Sequence, residues 1–151
     1  MAQLLTYNEF KIIVDFQGGT DSDKFNRIEQ VKEETYLYGL IGEDLTRKLQ
    51  DGDYSALMPL TKKVLAWEIL RYYIEIGNVI VNTNGGIQRK SDFSESIEYS
   101  DKQNKIKETI KVLQQYESRL ISLIETEEIE EWNENKKTTP VNTITITSIG
   151  D

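Results

Sequence analysis

The sequence predicts a mainly α-helical protein, a helical bundle with a short β-hairpin between its two longest helices and an extended β-arm at the C-terminus. Apolar residues recur every three or four positions through most of residues 1–132. A β-branched run followed by Asn-Gly separates the two longest periodic segments, and threonine alternates with isoleucine near the end of the chain. We therefore assign residues 1–132 to a helical bundle domain and residues 133–151 to a strand-forming arm.

Two short helices are predicted at the N-terminus. Thr6 and Glu9 have the spacing of a capping box, and the glycine pair at 18–19 is expected to end the first helix. The second helix is expected to begin within residues 20–23, and its core positions are predicted as Phe25, Ile28 and Val31. The predicted solvent-facing positions of this helix are Arg27, Glu29, Lys32, Glu33 and Glu34.

The segment 55–76 predicts a central helix because its apolar residues cover too wide an arc for a surface helix. Pro59 is tolerated only in the first turn, which places the helix start near Met58. Trp67 is predicted to lie in the core, and an Asp-Gly turn at 51–52 precedes this helix.

A hairpin is predicted between residues 78 and 87, where a β-branched run precedes Asn-Gly. We expect this loop to contact a neighbouring subunit or a docking partner. Its candidate contact residues are Val79, Ile80, Val81, Asn84, Gly85 and Gly86.

A long helix is predicted from Ser100 to about Trp132. Its charges oppose the helix dipole at both ends, because lysines lie near the start and glutamates near the end. These charges therefore indicate a role other than helix stability. The lysines are Lys102, Lys105, Lys107 and Lys111, and the glutamates are Glu125, Glu127, Glu128, Glu130 and Glu131.

The alternation of threonine and isoleucine predicts a strand in the arm. Full burial of two isoleucines contributes about 3–6 kcal/mol, whereas ordering a strand of about five residues costs about 5–10 kcal/mol. The arm therefore needs ladder hydrogen bonds, either from its own hairpin or, as we favour, from a neighbouring subunit. The candidate interface residues are Val141, Thr143, Ile144, Thr145, Ile146, Thr147 and Ile149.

The composition argues against enzymatic chemistry. The chain has 151 residues, no cysteine and no histidine, which excludes thiolate and imidazole chemistry. We predict no catalytic, metal-binding or cofactor-binding residue.

The net charge of −8 disfavours specific DNA binding but suits a wall along which DNA slides. No apolar run is long enough for a membrane span and no signal pattern is present, so a cytoplasmic location is the default expectation.

Several motifs have both a structural and a functional interpretation. One set of aromatic side chains is interpreted as packing residues rather than as a base-stacking platform: Tyr36, Tyr38, Trp67, Tyr72 and Tyr73. The glutamates near the end of the last helix are interpreted as a solvated face rather than a cation site, and the lysines at its start as solvated rather than bound to DNA or an acidic neighbour. Glu68 and Glu75 share a helix face, but nothing beside them suggests catalysis.

The order of these elements resembles that of the head–tail connector, or adaptor, proteins of tailed bacteriophages, particularly the ring proteins of crAss-like phages. The resemblance covers about residues 1–132 and rests on the segments 38–45, 65–73 and 78–87 followed by the long last helix. It implies a virion protein at the head–tail junction, assembled in the host cytoplasm. The threonine and isoleucine alternation of the arm has no counterpart that we can match to that family.

The resemblance further implies a dodecameric ring of this chain, docked beneath the portal protein and against adjacent tail proteins, with DNA passing through its lumen without specific binding. An alternative from the residues alone is a small cytoplasmic binding module that captures one partner with its C-terminal strand. The first hypothesis predicts a homo-oligomer of high symmetry, and the second predicts a monomer or a dimer.

Overall fold

The structure, a computed structural model, describes residues 3–17, 21–76, 79–81, 87–89 and 99–133. Within these ranges the protein is mainly helical, which confirms the predicted class. The α-helices are α1 (Tyr7–Val14), α2 (Ser22–Lys32), α3 (Tyr38–Ile41), α4 (Glu43–Gln50), α5 (Met58–Glu75) and α6 (Tyr99–Thr126). A π-helical turn, Glu33–Leu37, joins α2 to α3, and a 3₁₀ turn, Ser55–Leu57, leads into α5.

Helix α1 begins with the predicted capping box. The Thr6 hydroxyl accepts a hydrogen bond from the Glu9 amide at 3.2 Å, and the Glu9 carboxylate accepts one from the Thr6 amide at 3.0 Å. The helix ends at Val14 because Asp15 adopts the left-handed conformation with φ 53°. The predicted terminator, the glycine pair at 18–19, lies outside the described residues.

Helix α2 buries a different face from the one predicted. Phe25 is fully buried as expected, but Val31 is 53% exposed and Ile28 is only half-buried. Glu29 and Glu33, which were predicted to face solvent, are 0% and 3% exposed. Phe25, Glu29 and Glu33 are four residues apart and therefore lie on one face of the helix. Both glutamates can be buried there because each accepts a hydrogen bond from a backbone amide of the N-terminal segment.

The helical segment that starts at Ser22 continues beyond Lys32, the last residue of α2. It runs through the π-helical turn and through Gly39, and it breaks only at Gly42, which has φ 92°. The Gly42 carbonyl then accepts hydrogen bonds from the Thr46 amide and hydroxyl at 3.1 and 2.8 Å, in the first turn of α4. One break, at Gly42, therefore separates α3 from α4.

Helix α5 is the central element, as predicted, and it starts at Met58 with Pro59 in its first turn. It packs against α1, α2 and α6. Its buried positions cover most of its circumference, which explains the apolar sequence. Trp67 is an exception, because it is half-buried at the margin of the core rather than inside it.

Aromatic side chains form the middle of the core between α1, α2 and α5. The ring of Phe10 lies 5.1 Å from Phe25, 5.3 Å from Phe16 and 6.0 Å from Tyr73, measured between centroids. These separations are typical of favourable aromatic pairs. Phe10 is fully buried and therefore anchors α1 to the rest of the protein.

Three short strands are described: β1 (Phe16–Gln17), β2 (Val79–Val81) and β3 (Ile87–Arg89). Their order is β1-β3-β2, with β2 antiparallel and β1 parallel to β3. The sequence did not predict β1. Residues 82–86, which contain the predicted Asn-Gly turn, lie outside the described residues.

Helix α6 ends at Thr126 rather than near Trp132. Glu128 adopts the left-handed conformation with φ 52°, a position where glycine is favoured, and a helical turn at residues 130–133 follows. The arm from residue 134 onward lies outside the described residues, so its strand stays a prediction.

Candidate interaction surface

The structure places only part of the residues predicted to contact other chains. Val79, Ile80 and Val81 form β2, which lies at one edge of the sheet. Residues 84–86 of the predicted loop lie outside the described residues. The predicted arm residues do so as well; they are Val141, Thr143, Ile144, Thr145, Ile146, Thr147 and Ile149.

A second surface, not predicted from the sequence, spans the packed helices α5 and α6. It consists of side chains at helical spacing; Arg119 is exposed, and the other members are half-buried. We name it the basic aromatic face: Leu60, Lys63 and Trp67 of α5, with Val112, Tyr116, Arg119 and Leu123 of α6.

The Tyr116 ring holds the two cations of this face in place. Lys63 Nζ lies 5.5 Å and Arg119 Cζ 5.6 Å from the ring centroid. Such cation–π contacts contribute about 0.5–1 kcal/mol each at exposed sites. Within the described part of the chain, neither cation takes part in an ion pair. Both charges are therefore ordered by the ring and available to an external anion.

Negative charge collects at the C-terminal end of α6. We name as the acidic end the three exposed glutamates Glu127, Glu128 and Glu130. The neighbouring Glu131 accepts a hydrogen bond from the Tyr54 hydroxyl at 2.6 Å, and this bond raises the pKa of Tyr54 to about 12. Among the described residues, no group of acidic side chains has the arrangement of a metal site.

One of the lysines at the start of α6, Lys102, contacts the end of α5. Lys102 Nζ donates a hydrogen bond to the Glu75 carbonyl at 2.8 Å, at the C-terminal end of α5. A cation there complements the dipole of α5, which partly explains why the start of α6 tolerates positive charge. Lys107 and Lys111 are exposed.

A buried polar cluster holds the N-terminal segment on α2. The Leu5 amide donates to Glu29 Oε1 and the Leu4 amide donates to Glu33 Oε2, both at 3.1 Å. Gln50 Nε2 of α4 donates to Glu33 Oε1 at 2.6 Å. Burial, together with the hydrogen bond and negative charge of Glu33, raises the pKa of Glu29 to about 10.

The raised pKa indicates that Glu29 is protonated at neutral pH. Its Oε2 atom is buried and has no partner when the group is treated as an acceptor. A protonated Glu29 can donate a hydrogen bond to Glu33, and this bond and the negative charge of Glu33 both raise the pKa of Glu29. Glu33 accepts hydrogen bonds from the Leu4 amide and from Gln50, so the cluster connects the N-terminal segment to α2 and α4.

A second polar cluster joins α2 to α5. Glu68 accepts hydrogen bonds from Lys32 at 3.1 Å and from Arg71 at 2.5 Å. Burial opposes its ionisation, but these two cations outweigh burial and hold the pKa of Glu68 below its usual range. Arg71 also forms an ion pair with Glu75 at 2.6 Å. Glu68 and Glu75, the two glutamates that share a helix face in the sequence, therefore bind the same cation and have a structural role.

A groove of about 210 Å³ lies beside this cluster. Ile28, Val31 and Tyr72 line its apolar wall, with Arg27 and Lys32 at the rim. Typical small-molecule pockets have volumes of about 300–1,000 Å³. The groove is smaller than these. It lies on the face of α2 that was predicted to be buried and that leaves Val31 exposed.

The fold and these surfaces define a mainly helical protein whose described polar clusters stabilise packing and whose α5–α6 face carries available charge. The chain belongs to the family of unknown function DUF6712, whose profile matches residues 18–142. No curated protein and no solved structure matches the chain significantly. Within the described ranges, none of the helices combines the length and the apolar composition that a membrane crossing requires.

Proposed function

We propose that this protein is a non-enzymatic structural subunit of a virion, a head–tail connector ring protein docked below the portal and forming part of the DNA conduit. The observation that carries the proposal is the basic aromatic face. Tryptophan, tyrosine and arginine are the residues that most often dominate the energy of protein interfaces, and the face as defined above includes Trp67, Tyr116 and Arg119. Self-assembly is therefore the activity that this surface supports best.

The sheet supports the proposal in a second way. Strand β2 pairs with β3 on one side, and within the described residues no strand covers its other side. An open edge of this kind accepts an added strand, and the threonine and isoleucine alternation of residues 143–147 supplies a suitable one. In the proposed ring, the arm of one subunit adds to the β2 edge of the next.

Purified virions test the proposal. We expect mass spectrometry to find this chain in intact particles, and imaging of the purified chain with the portal protein to show a ring of high symmetry. A chain that is absent from particles contradicts the virion assignment. A monomer or dimer that binds one cytoplasmic partner instead supports the alternative function, a small binding module.

A Thr145→Pro substitution tests the arm. Proline removes one backbone donor and fixes φ, so it interrupts strand pairing without deleting Ile144 or Ile146. We expect ring assembly to be lost while the melting temperature of the monomer stays unchanged. The matched control is Thr145→Val, which retains the backbone donor and should assemble normally.

The opposite outcomes of this test are also informative. A lower melting temperature of the Thr145→Pro monomer indicates that the arm pairs with the hairpin of its own chain. Unchanged assembly rules out an added strand at residues 143–147.

A further inference from the structure

We propose that the basic aromatic face of one copy of this chain binds the acidic end of α6 from the next copy, in a head-to-tail contact. The proposal deepens the assembly function proposed above and rests on it. It assigns an occupant to the face formed by Lys63, Trp67, Tyr116 and Arg119.

Charge complementarity identifies the occupant as a second copy. The chain has a net charge of −8, yet Lys63 and Arg119 are held in place by Tyr116 and have no carboxylate partner among the described residues. The acidic end supplies three exposed carboxylates that lack a cation in the described part of the chain. The same molecule therefore carries both halves of a contact.

The two halves do not satisfy each other within one chain. Lys63 and Arg119 point their charge onto Tyr116 in the middle of α6, whereas Glu127, Glu128 and Glu130 lie beyond its last residue, Thr126. A contact between two different patches is heterologous, so each copy binds one neighbour through its face and another through its acidic end. Heterologous contacts close into a ring when the rotation between neighbouring copies divides a full turn evenly, whereas the self-complementary patch of a two-fold dimer stops at two copies.

DNA is the competing partner for a basic face. The face has two ordered cations, whereas a protein that binds duplex DNA neutralises several phosphates and carries an excess of positive charge. The net charge of −8 repels the remainder of a duplex. A second copy, which presents a short acidic segment, matches the size and charge of the face better.

Two charge-reversed chains test the contact. The first carries Lys63→Glu and Arg119→Glu, which makes its face acidic; the second carries Glu127→Lys, Glu128→Lys and Glu130→Lys, which makes its end basic. We expect each chain alone to lose self-association, because both of its patches then have the same sign. An equimolar mixture should recover association, since every face then meets an end of opposite charge in alternation.

Sedimentation velocity over a range of concentrations, at low and high salt, measures this recovery. Wild-type protein should associate in a concentration-dependent manner that high salt weakens. The control chain carries Lys48→Glu and Arg27→Glu, two exposed cations outside the face, and should associate like wild type. Circular dichroism melting of each chain verifies that the substitutions leave the fold intact.

Several outcomes overturn the proposal. These are a wild-type chain that stays monomeric at millimolar concentration, a first chain that associates like wild type, or a mixture that fails to recover association although both chains fold. The proposal is also overturned, in favour of DNA as the partner, if wild-type protein binds DNA in a salt-sensitive manner and the first charge-reversed chain does not. The two proposals fail separately. If the charge-reversed chains still form a ring, the head-to-tail contact is wrong but the ring function stands. If the chain is absent from virions, the virion function is wrong but the contact can still be correct.

Discussion

A Phe10→Ala chain is expected to have a free energy of unfolding about 3–5 kcal/mol lower than wild type, the usual cost of truncating a buried phenylalanine. Phe10 is fully buried, and its ring centroid lies within 6.0 Å of those of Phe16, Phe25 and Tyr73. Removing the ring leaves a cavity where α1, α2 and α5 meet. A loss of this size is a large part of the stability of a typical domain, so urea unfolding detects it readily.

Ile12 provides the matched control on the same helix. Its side chain is 80% exposed, and alanine is the better helix former, so Ile12→Ala should change the free energy of unfolding by less than about 0.5 kcal/mol. Equal destabilisation by both substitutions contradicts the packing described for α1. It indicates that helix formation, rather than burial of the Phe10 ring, limits stability.

The sequence predicted the features of this fold that depend on neighbours along the chain. The capping box at Thr6 and Glu9, the start of α5 at Met58 and the central position of α5 were all correct. Each depends on spacing within one helix, which hydrogen bonding and periodicity determine locally. The boundaries were less accurate, since α6 ends at Thr126 through a left-handed Glu128, a position that usually requires glycine.

The features that the sequence did not predict depend on contacts between distant segments. Glu29 and Glu33 appear as solvent-facing charges in a helical pattern, yet they are buried because the amides of Leu4 and Leu5 need acceptors. Nothing in α2 itself indicates that the N-terminal segment lies on it. The four-residue spacing places Phe25, Glu29 and Glu33 on one face of the helix, which is the available sign that both glutamates are buried. Their charge led to the opposite prediction, a solvent-facing position.

Only some parts of the candidate surface have a local signal in the sequence. Edge strand β2 and the arm have local signals, namely β-branched runs and alternation. The basic aromatic face has none, because it combines Lys63 and Trp67 of α5 with Tyr116 and Arg119 of α6, which only the packing of the two helices brings together. Trp67 was consequently assigned to the core.

A Glu29→Gln chain is expected to remove most of the pH dependence of stability above neutral pH. Burial raises the pKa of Glu29 from 4.5 to about 10 in the folded protein, so between these values the folded state binds a proton that the unfolded state lacks. Stability therefore falls as pH rises through this window, by at most about 1.4 kcal/mol per pH unit from this group. Glutamine does not titrate, so its slope should be close to zero.

The substitution also preserves the contacts of the cluster. The glutamine oxygen accepts the Leu5 amide, and its NH₂ group donates to Glu33 in place of the carboxyl proton. The variant should therefore equal wild type near pH 5 and exceed its stability at higher pH. Urea midpoints between about pH 5 and pH 9 measure the difference, with Glu34→Gln, an exposed position on the adjacent turn, as the control that should keep the wild-type slope.

The remaining shifted carboxyl groups act in a different pH range. Glu68 and Glu9 have lowered pKa values: burial opposes their ionisation, but Arg71 and Lys32 at Glu68, and Lys62 at Glu9, outweigh it. Their contribution is present above about pH 4.5 and is lost only as the pH falls further. A slope above pH 5 that the Glu29→Gln chain abolishes is therefore assigned to Glu29. A slope that the variant retains shows that Glu29 is ionised in the folded protein and that another group causes the pH dependence.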